Sequence, residues 1–206
     1  VNGDHATNYI AKISNTNTAT TADGLMIDLK VAPADRTANN NFIAFASNGT
    51  VYGAIEGGEN AVSYSTTAAD FAEYFMSADT QKPEPGDVVA LSTSIPTAVH
   101  KADKSAPQKR DRRLIGVVST APGFVGGAPV CKADDKDCRK NSETYNVLVG
   151  LAGRIPVKVN TENGAIAIGD SLTLSSTPGV AMKATEPETT VGIALENYDK
   201  KEAGKI

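Results

Sequence analysis

Hydrophobic positions in the first third of the chain come in short runs separated by polar, turn-rich tracts. Runs at residues 9–13, 25–31, 42–45 and 51–55 are bounded by stretches dense in Asn, Thr, Asp and Gly. In the second run Leu25, Ile27, Leu29 and Val31 alternate with Met26, Asp28 and Lys30, the period-two pattern of a half-covered strand. Asn48-Gly49 between the third and fourth runs predicts a hairpin with a tight two-residue turn. At residue 67 the pattern changes. Phe71, Tyr74 and Phe75 fall at i, i+3 and i+4, and Thr67 stands three residues before Asp70, which together predict one short capped helix or turn over 67–75.

Downstream the period returns to strands, with an internal echo. EPGDVVALSTSIPTAVHKAD from Glu84 aligns with AIGDSLTLSSTPGVAMKAT from Ala167 once one residue is skipped. Gly86-Asp87 then matches Gly169-Asp170, Leu91-Ser92 matches Leu174-Ser175, and Lys101-Ala102 matches Lys183-Ala184. Each copy runs on into a similar strand, LIGVVST from Leu114 or TVGIALE from Thr190. The repeat predicts a duplicated β-domain, with Gly-Asp as its tight turn and a structural role for Asp87 and Asp170. Between the copies Pro156 interrupts a β-rich stretch, residues 145–159, and predicts an edge or a break.

The expected fold class is all-β. Residues 1–66 form an elongated β-rich stalk region, and residues 67–206 a compact duplicated β-domain, with at most one or two short helices. Composition sharpens this picture. Aromatic residues are only 5% and Trp is absent, so each chain has a modest core, and packing against sister chains would enlarge it. The net charge of −4 supplies no positive field for nucleic acid. The longest apolar stretch, at 147–153, is too short to insert in a membrane. The sequence starts at Val1 without Met or a signal-peptide pattern, and is read as a fragment or processed product.

The motif ADFAEYF (Ala69 to Phe75), together with PGDVV, IGVVSTAPGFVGG, VGLAGRIPVKV and GDSLTLSSTPGVAMKA, resembles the C-terminal region of phage tail-fibre and tail-spike proteins and of bacterial surface-fibre proteins. It is related to the G2 peptidase family of self-cleaving intramolecular chaperones. The resemblance covers residues 65–206, and the upstream stretch is similar to the β-rich repeats that precede such domains. Members are expected to continue with an apolar strand after the Gly-Lys, where this sequence stops at Ile206. The resemblance implies a homotrimeric structural subunit of a fibre, spike or filament, packed against neighbouring fibre segments. Its place is extracellular, on a cell surface or on a virion. A self-cleaving chaperone that directs trimer assembly, with single-turnover peptide hydrolysis, is the alternative. A glycan- or receptor-binding adhesin, with a host-surface glycan as partner, is a second; five Phe, six Tyr and no Trp make a poor sugar platform.

By the same resemblance Asp70 and Glu73 are the catalytic candidates, with Ser65 and Thr66 in the cleavage region. On a helix, the i, i+3 spacing puts both carboxylates on one face, where they can split into an acid and a base. In an extended strand the pair points to opposite faces. The plainer reading makes Asp70 a helix cap and Glu73 a surface ion pair. Cys131 and Cys138 flank a polar six-residue loop. They are expected to form a disulfide, worth about 2–3 kcal/mol by loop entropy, or to be reduced spectators. The basic stretch 101–113 is read as a solvated loop, Asp134, Asp135 and Asp137 as a weak cation candidate, and Asn48-Gly49-Thr50 as hairpin chemistry more than a glycosylation sequon. No cofactor motif and no metal-ligand spacing is present.

Overall fold

The computed structural model describes residues 25–32, 40–57, 62–66, 69–104, 113–130 and 144–206. The chain divides into two compact units, Val1–Ser65 and Thr66–Ile206. In the first, strands β1 (Asn41–Ser47), β2 (Thr50–Gly57) and β3 (Val62–Thr66) form one sheet in that order. Asn48 and Gly49 both take positive φ, 48° and 79°, with Ser47 facing Thr50 across the turn, the backbone that Asn-Gly adopts at low cost. The sheet covers little of itself: Ile43, Phe45, Val51, Tyr52, Val62 and Tyr64 are all exposed. The strand expected at 25–31 does not form. Ile27, Leu29 and Val31 are half-covered as the alternation requires, but the segment pairs with no strand among the described residues. Lys30 turns to φ 54° and donates its N–H to Asp28 Oδ1 at 3.0 Å, a local bond that competes with a ladder. The run at 9–13 lies outside the described residues.

The second unit stacks two sheets. Strands β4 (Asp70–Ser77), β5 (Val88–Leu91), β6 (Ala98–Lys101), β7 (Leu114–Val118), β8 (Phe124–Gly126) and β9 (Asn146–Gly153) run β6-β5-β7-β9-β4-β8. The far end of β4 also pairs in parallel with β6, Met76 facing Ala98, so five of these strands close into a barrel and β8 is appended to β4. The second sheet takes β10 (Lys158–Val159), β11 (Ser171–Leu174), β12 (Ala181–Lys183), β13 (Gly192–Ile193) and β14 (Gly204–Lys205) in the order β13-β11-β12-β10-β14. Val89, Val99, Val118, Val147 and Val149 fill one core cluster. Their neighbours Val88, Ala90 and Val117 pack with Val159, Leu172, Leu174 and Ala181 in another. Strand β5 is apolar at consecutive positions because both of its faces are covered. Pro156 breaks the chain between β9 and β10, as its missing N–H requires; beside it Val157 and Ile206 exchange both backbone hydrogen bonds, 2.8 and 3.1 Å.

The helix expected over 67–75 is corrected: among the described residues 70–77 are strand β4. Its hydrogen-bonding partners β9, β8 and β6 outweigh a helical spacing of three aromatics, since tertiary pairing overrides weak local preference.

The two echoed segments adopt the same geometry. Asp87 N–H donates to Glu84 O at 2.9 Å while Asp87 Oδ2 accepts from Glu84 N–H at 2.8 Å; Asp170 and Ala167 repeat both bonds at 3.0 and 2.7 Å. Gly86 and Gly169 sit at φ 93° and 90°. Val89 faces Lys101 as Leu172 faces Lys183. The third strand joins alike, with Val118 N–H donating to Asp87 O and Ala194 N–H to Asp170 O, both at 2.9 Å.

Candidate functional site

Strand β4 begins with Asp70, whose side chain lies inside the unit and is only 4% exposed. The burial follows from the alternation of the strand: Asp70 and Ala72 face in, Phe71 and Glu73 face out. Asp70 Oδ1 accepts a hydrogen bond from Gly123 N–H at 3.3 Å. Oδ2 has no hydrogen-bond partner among the described residues. Burying an unpaired carboxylate oxygen is costly, and such an atom in a folded protein calls for a reason.

Glycines shape the space around this carboxyl. Strand β9 lies antiparallel to β4, with Asp70 facing Gly153, Phe71 facing Ala152 and Ala72 facing Gly150, so Leu151 is the extra residue of a β-bulge. Gly153 has φ 115°, and a Cβ there would lie 2.4 Å from Ala69 O. At Gly150 a Cβ would lie 3.2 Å from Asp70 Oδ2 and 2.3 Å from Ile155 Cδ1. The backbone of β9 therefore lies flush against the start of β4. These glycines sit far along the sequence from Asp70, and only the Gly-rich look of VGLAGR hinted at them.

Glu73 is not part of this pocket. It is exposed, on the opposite face of β4, where its side chain runs beside Gly126 of β8. The shared face that a helix would give the two carboxylates does not form, because i and i+3 diverge on a strand. Thr66, exposed, and Ala69 line an open groove of about 640 Å³ with Arg154, Ile155, Ile193 and Glu196. Ser65 is half-buried and immediately precedes Thr66 in β3. Cys131, Cys138 and the acidic residues 134, 135 and 137 lie outside the described residues. Among the described residues no three His, Cys, Asp or Glu side chains group as metal ligands, and no helix is long and apolar enough to cross a membrane.

A second buried carboxyl in the unit has a different character. Asp87 is 1% exposed and bonds Lys158 Nζ at 2.7 Å and Lys101 Nζ at 3.1 Å. Burial pushes its carboxyl up, but the Lys158 ammonium, the Glu84 N–H and the Lys101 ammonium outweigh it and hold the group below the usual carboxylate range. Lys158 answers in kind: burial lowers it, but Asp87 and Glu84 together raise it above the ordinary lysine value. Fully paired, Asp87 has its charge spent on structure. Asp70 does not.

Residues 31–141, more than half of the chain, match the family described as Peptidase_G2, IMC autoproteolytic cleavage domain. The chain belongs to this family. The Peptidase_G2 match begins further upstream than the motif-based resemblance and ends before the second turn unit; it contains Ser65, Thr66, Asp70 and Glu73. Among solved structures, the chain is similar to pre-mature bacteriophage phi29 gene product 12, at 22% identity over 73% of this chain and a TM-score of 0.40. It spans only 24% of that protein's length. It is also similar to the phi29 gene product 12 C-terminal fragment, at 25% identity over 64% of this chain and all of that one, with a TM-score of 0.41. No curated protein matches the chain.

Proposed function

We propose that this Peptidase_G2 chain is an assembly module of a virion-borne fibre or spike, and that its second unit is a chaperone that cuts its own backbone once within residues 64–69. The observation that carries this reading is Asp70, a buried carboxylate with one unpartnered oxygen, following that segment directly in sequence. A carboxylate kept apart from cations can serve as general base and then general acid. It takes a proton from the attacking oxygen as that oxygen bonds to the carbonyl carbon. It returns the proton to the leaving nitrogen as the C–N bond breaks. The attacking oxygen belongs to water or to the hydroxyl of Ser65 or Thr66; in the hydroxyl case, water then cleaves the ester. Each chain turns over once.

Incubation of the full chain followed by intact-mass spectrometry tests the reading. Two fragments with a break within 64–69 are expected. Asp70→Asn leaves one uncut chain, whereas Glu73→Gln still cuts. Uncut wild-type protein, or an Asp70→Asn chain that cuts at the wild-type rate, overturns it. Ser65→Ala and Thr66→Ala separate water from hydroxyl attack.

The assembled state in this proposal is a homotrimer. Its support is the sheet of the first unit, which leaves six large apolar side chains exposed, more than a three-stranded sheet with so little cover tolerates alone. Repetitive strands also slip by two residues without penalty to their pattern, and a globular end that holds three chains together sets the register. Light scattering is expected to return the mass of three chains; a stable monomer overturns the trimer.

A further inference from the structure

We infer that Gly150 is a positioning residue for Asp70: a side chain there would press on the buried Oδ2 and shift the carboxyl away from where it exchanges a proton with the reacting groups. The inference rests on the proposed self-cleavage and adds to it a requirement on a strand distant in sequence. Three observations converge. Gly150 faces Ala72, on the same side of β4 as Asp70, and its missing side chain is what lets Oδ2 and the Ile155 side chain pack against β9 at this point. The bulge at Leu151 shifts the register of β9 between Gly150 and Gly153, so that one glycine meets the carboxyl and the other the Ala69 carbonyl. Gly116 on β7 in turn lets the Gly150 carbonyl approach, since a Cβ at 116 would lie 2.2 Å from Gly150 O. A bulge that re-aims a side chain is a recurrent device beside reactive groups.

A side chain at 150 has two separable effects. It would strike Ile155 Cδ1 at 2.3 Å, which is a packing effect, and crowd Asp70 Oδ2 at 3.2 Å, which is a chemical one. Ile155→Val deletes the Cδ1 methyl and so the 2.3 Å clash, leaving Ile155 Cγ1 at 3.2 Å, a contact that Ile155→Ala also removes. The informative comparison is therefore Gly150→Ala/Ile155→Val against Ile155→Val alone, read as cutting rate by intact mass and as melting temperature.

The expected result is similar melting temperatures and a rate lower by roughly a hundredfold in the double variant, the scale of loss when a reacting group is displaced by about an ångström. Equal rates in the two chains overturn the inference. Gly126→Ala is the control on the other face of β4: its Cβ would lie 3.2 Å from Glu73 Cγ and 3.4 Å from Glu73 Oε1, a comparable crowding of the other acidic side chain. It should cut at close to the wild-type rate. An equal slowing by Gly126→Ala would mean that any crowding of β4 suffices, and also overturns the inference. Should the double variant fail to fold, Gly150→Ala/Ile155→Ala gives more room and is read in the same way against Ile155→Ala. If the wild-type chain is itself uncut, the proposed function has failed; if wild type cuts, Asp70→Asn does not, and the glycine variant matches its reference, only the present inference has.

Discussion

The two echoed hairpins share their hydrogen bonds and differ in what surrounds them. In the first, the turn aspartate Asp87 is buried and clasped by Lys101 and Lys158, with Gly179 of the second hairpin packed against it. Backbone bonds tie the same place: Val88 N–H donates to Gly179 O and Gly179 N–H to Ala102 O, each at 2.8 Å. In the second, Asp170 makes the same turn and pairs Lys183 at 2.8 Å, but stands at the surface. One hairpin is thus the mortise of the unit and the other its tenon, although both are built from one local pattern. Turn chemistry is local and repeats with the sequence; the role of the charge is decided by what packs on it.

Replacing the aspartates breaks this comparison most sharply. Asp87→Ala leaves two lysines facing a half-dry pocket and should cost about 3 kcal/mol in urea unfolding. Asp170→Ala should give a far smaller change. Equal losses would mean that the turn, and not the buried network, sets the stability.

Acid should distinguish the same pair. The folded Asp87 is held below its unfolded value, about 3.9 for an unperturbed Asp. Its contribution is therefore full above that unfolded value and is lost as pH falls through the depressed folded one. Asp87→Ala should flatten the acid limb of a melting-temperature profile below about pH 4. Lys158 is raised, so its share is full below the unfolded lysine value and fades as pH rises through the folded one, on the alkaline limb.

Smaller effects lie at the hairpin tips. Gly179 has φ 77° and a Cβ there would sit 3.0 Å from the Asp87 carboxyl, so Gly179→Ala should cost about 1–2 kcal/mol. At the equivalent position of the first hairpin stands Thr97, at φ 57°, a strained place for a β-branched residue. Thr97→Gly should stabilise by about 0.5 kcal/mol, and a loss instead would show that its hydroxyl bond to Pro96 O, 2.7 Å, matters more than the strain.

What could be read from the amino acids was what depends on near neighbours. The Asn48-Gly49 turn, the break at Pro156 and the two Gly-Asp turns all follow from the conformational limits of one or two residues. The spacing of Phe71, Tyr74 and Phe75 misled because a strand hydrogen-bonded to three others takes its conformation from them. The alternation at 25–31 misled for the opposite reason: it forms no strand with the other described residues, and Asp28 accepts the Lys30 N–H locally. Asp70 was legible as a candidate only through its motif. Its surroundings depend on Gly123, Gly150 and Gly153, which come from other strands and loops, and no local pattern announces that they will meet.

The closure of the barrel has a mechanical consequence. Strand β4 is stitched to β9 along its length, to β8 at its start and to β6 at its end, so severing the backbone just before it cannot unzip it. The downstream unit would keep its shape as a released body. The upstream chain, however, would lose the tether that kept its folding template at high effective concentration. On the proposed cleavage, a cut at this place would work as a ratchet: it would leave the barrel standing and take away the route by which the upstream part could be made again.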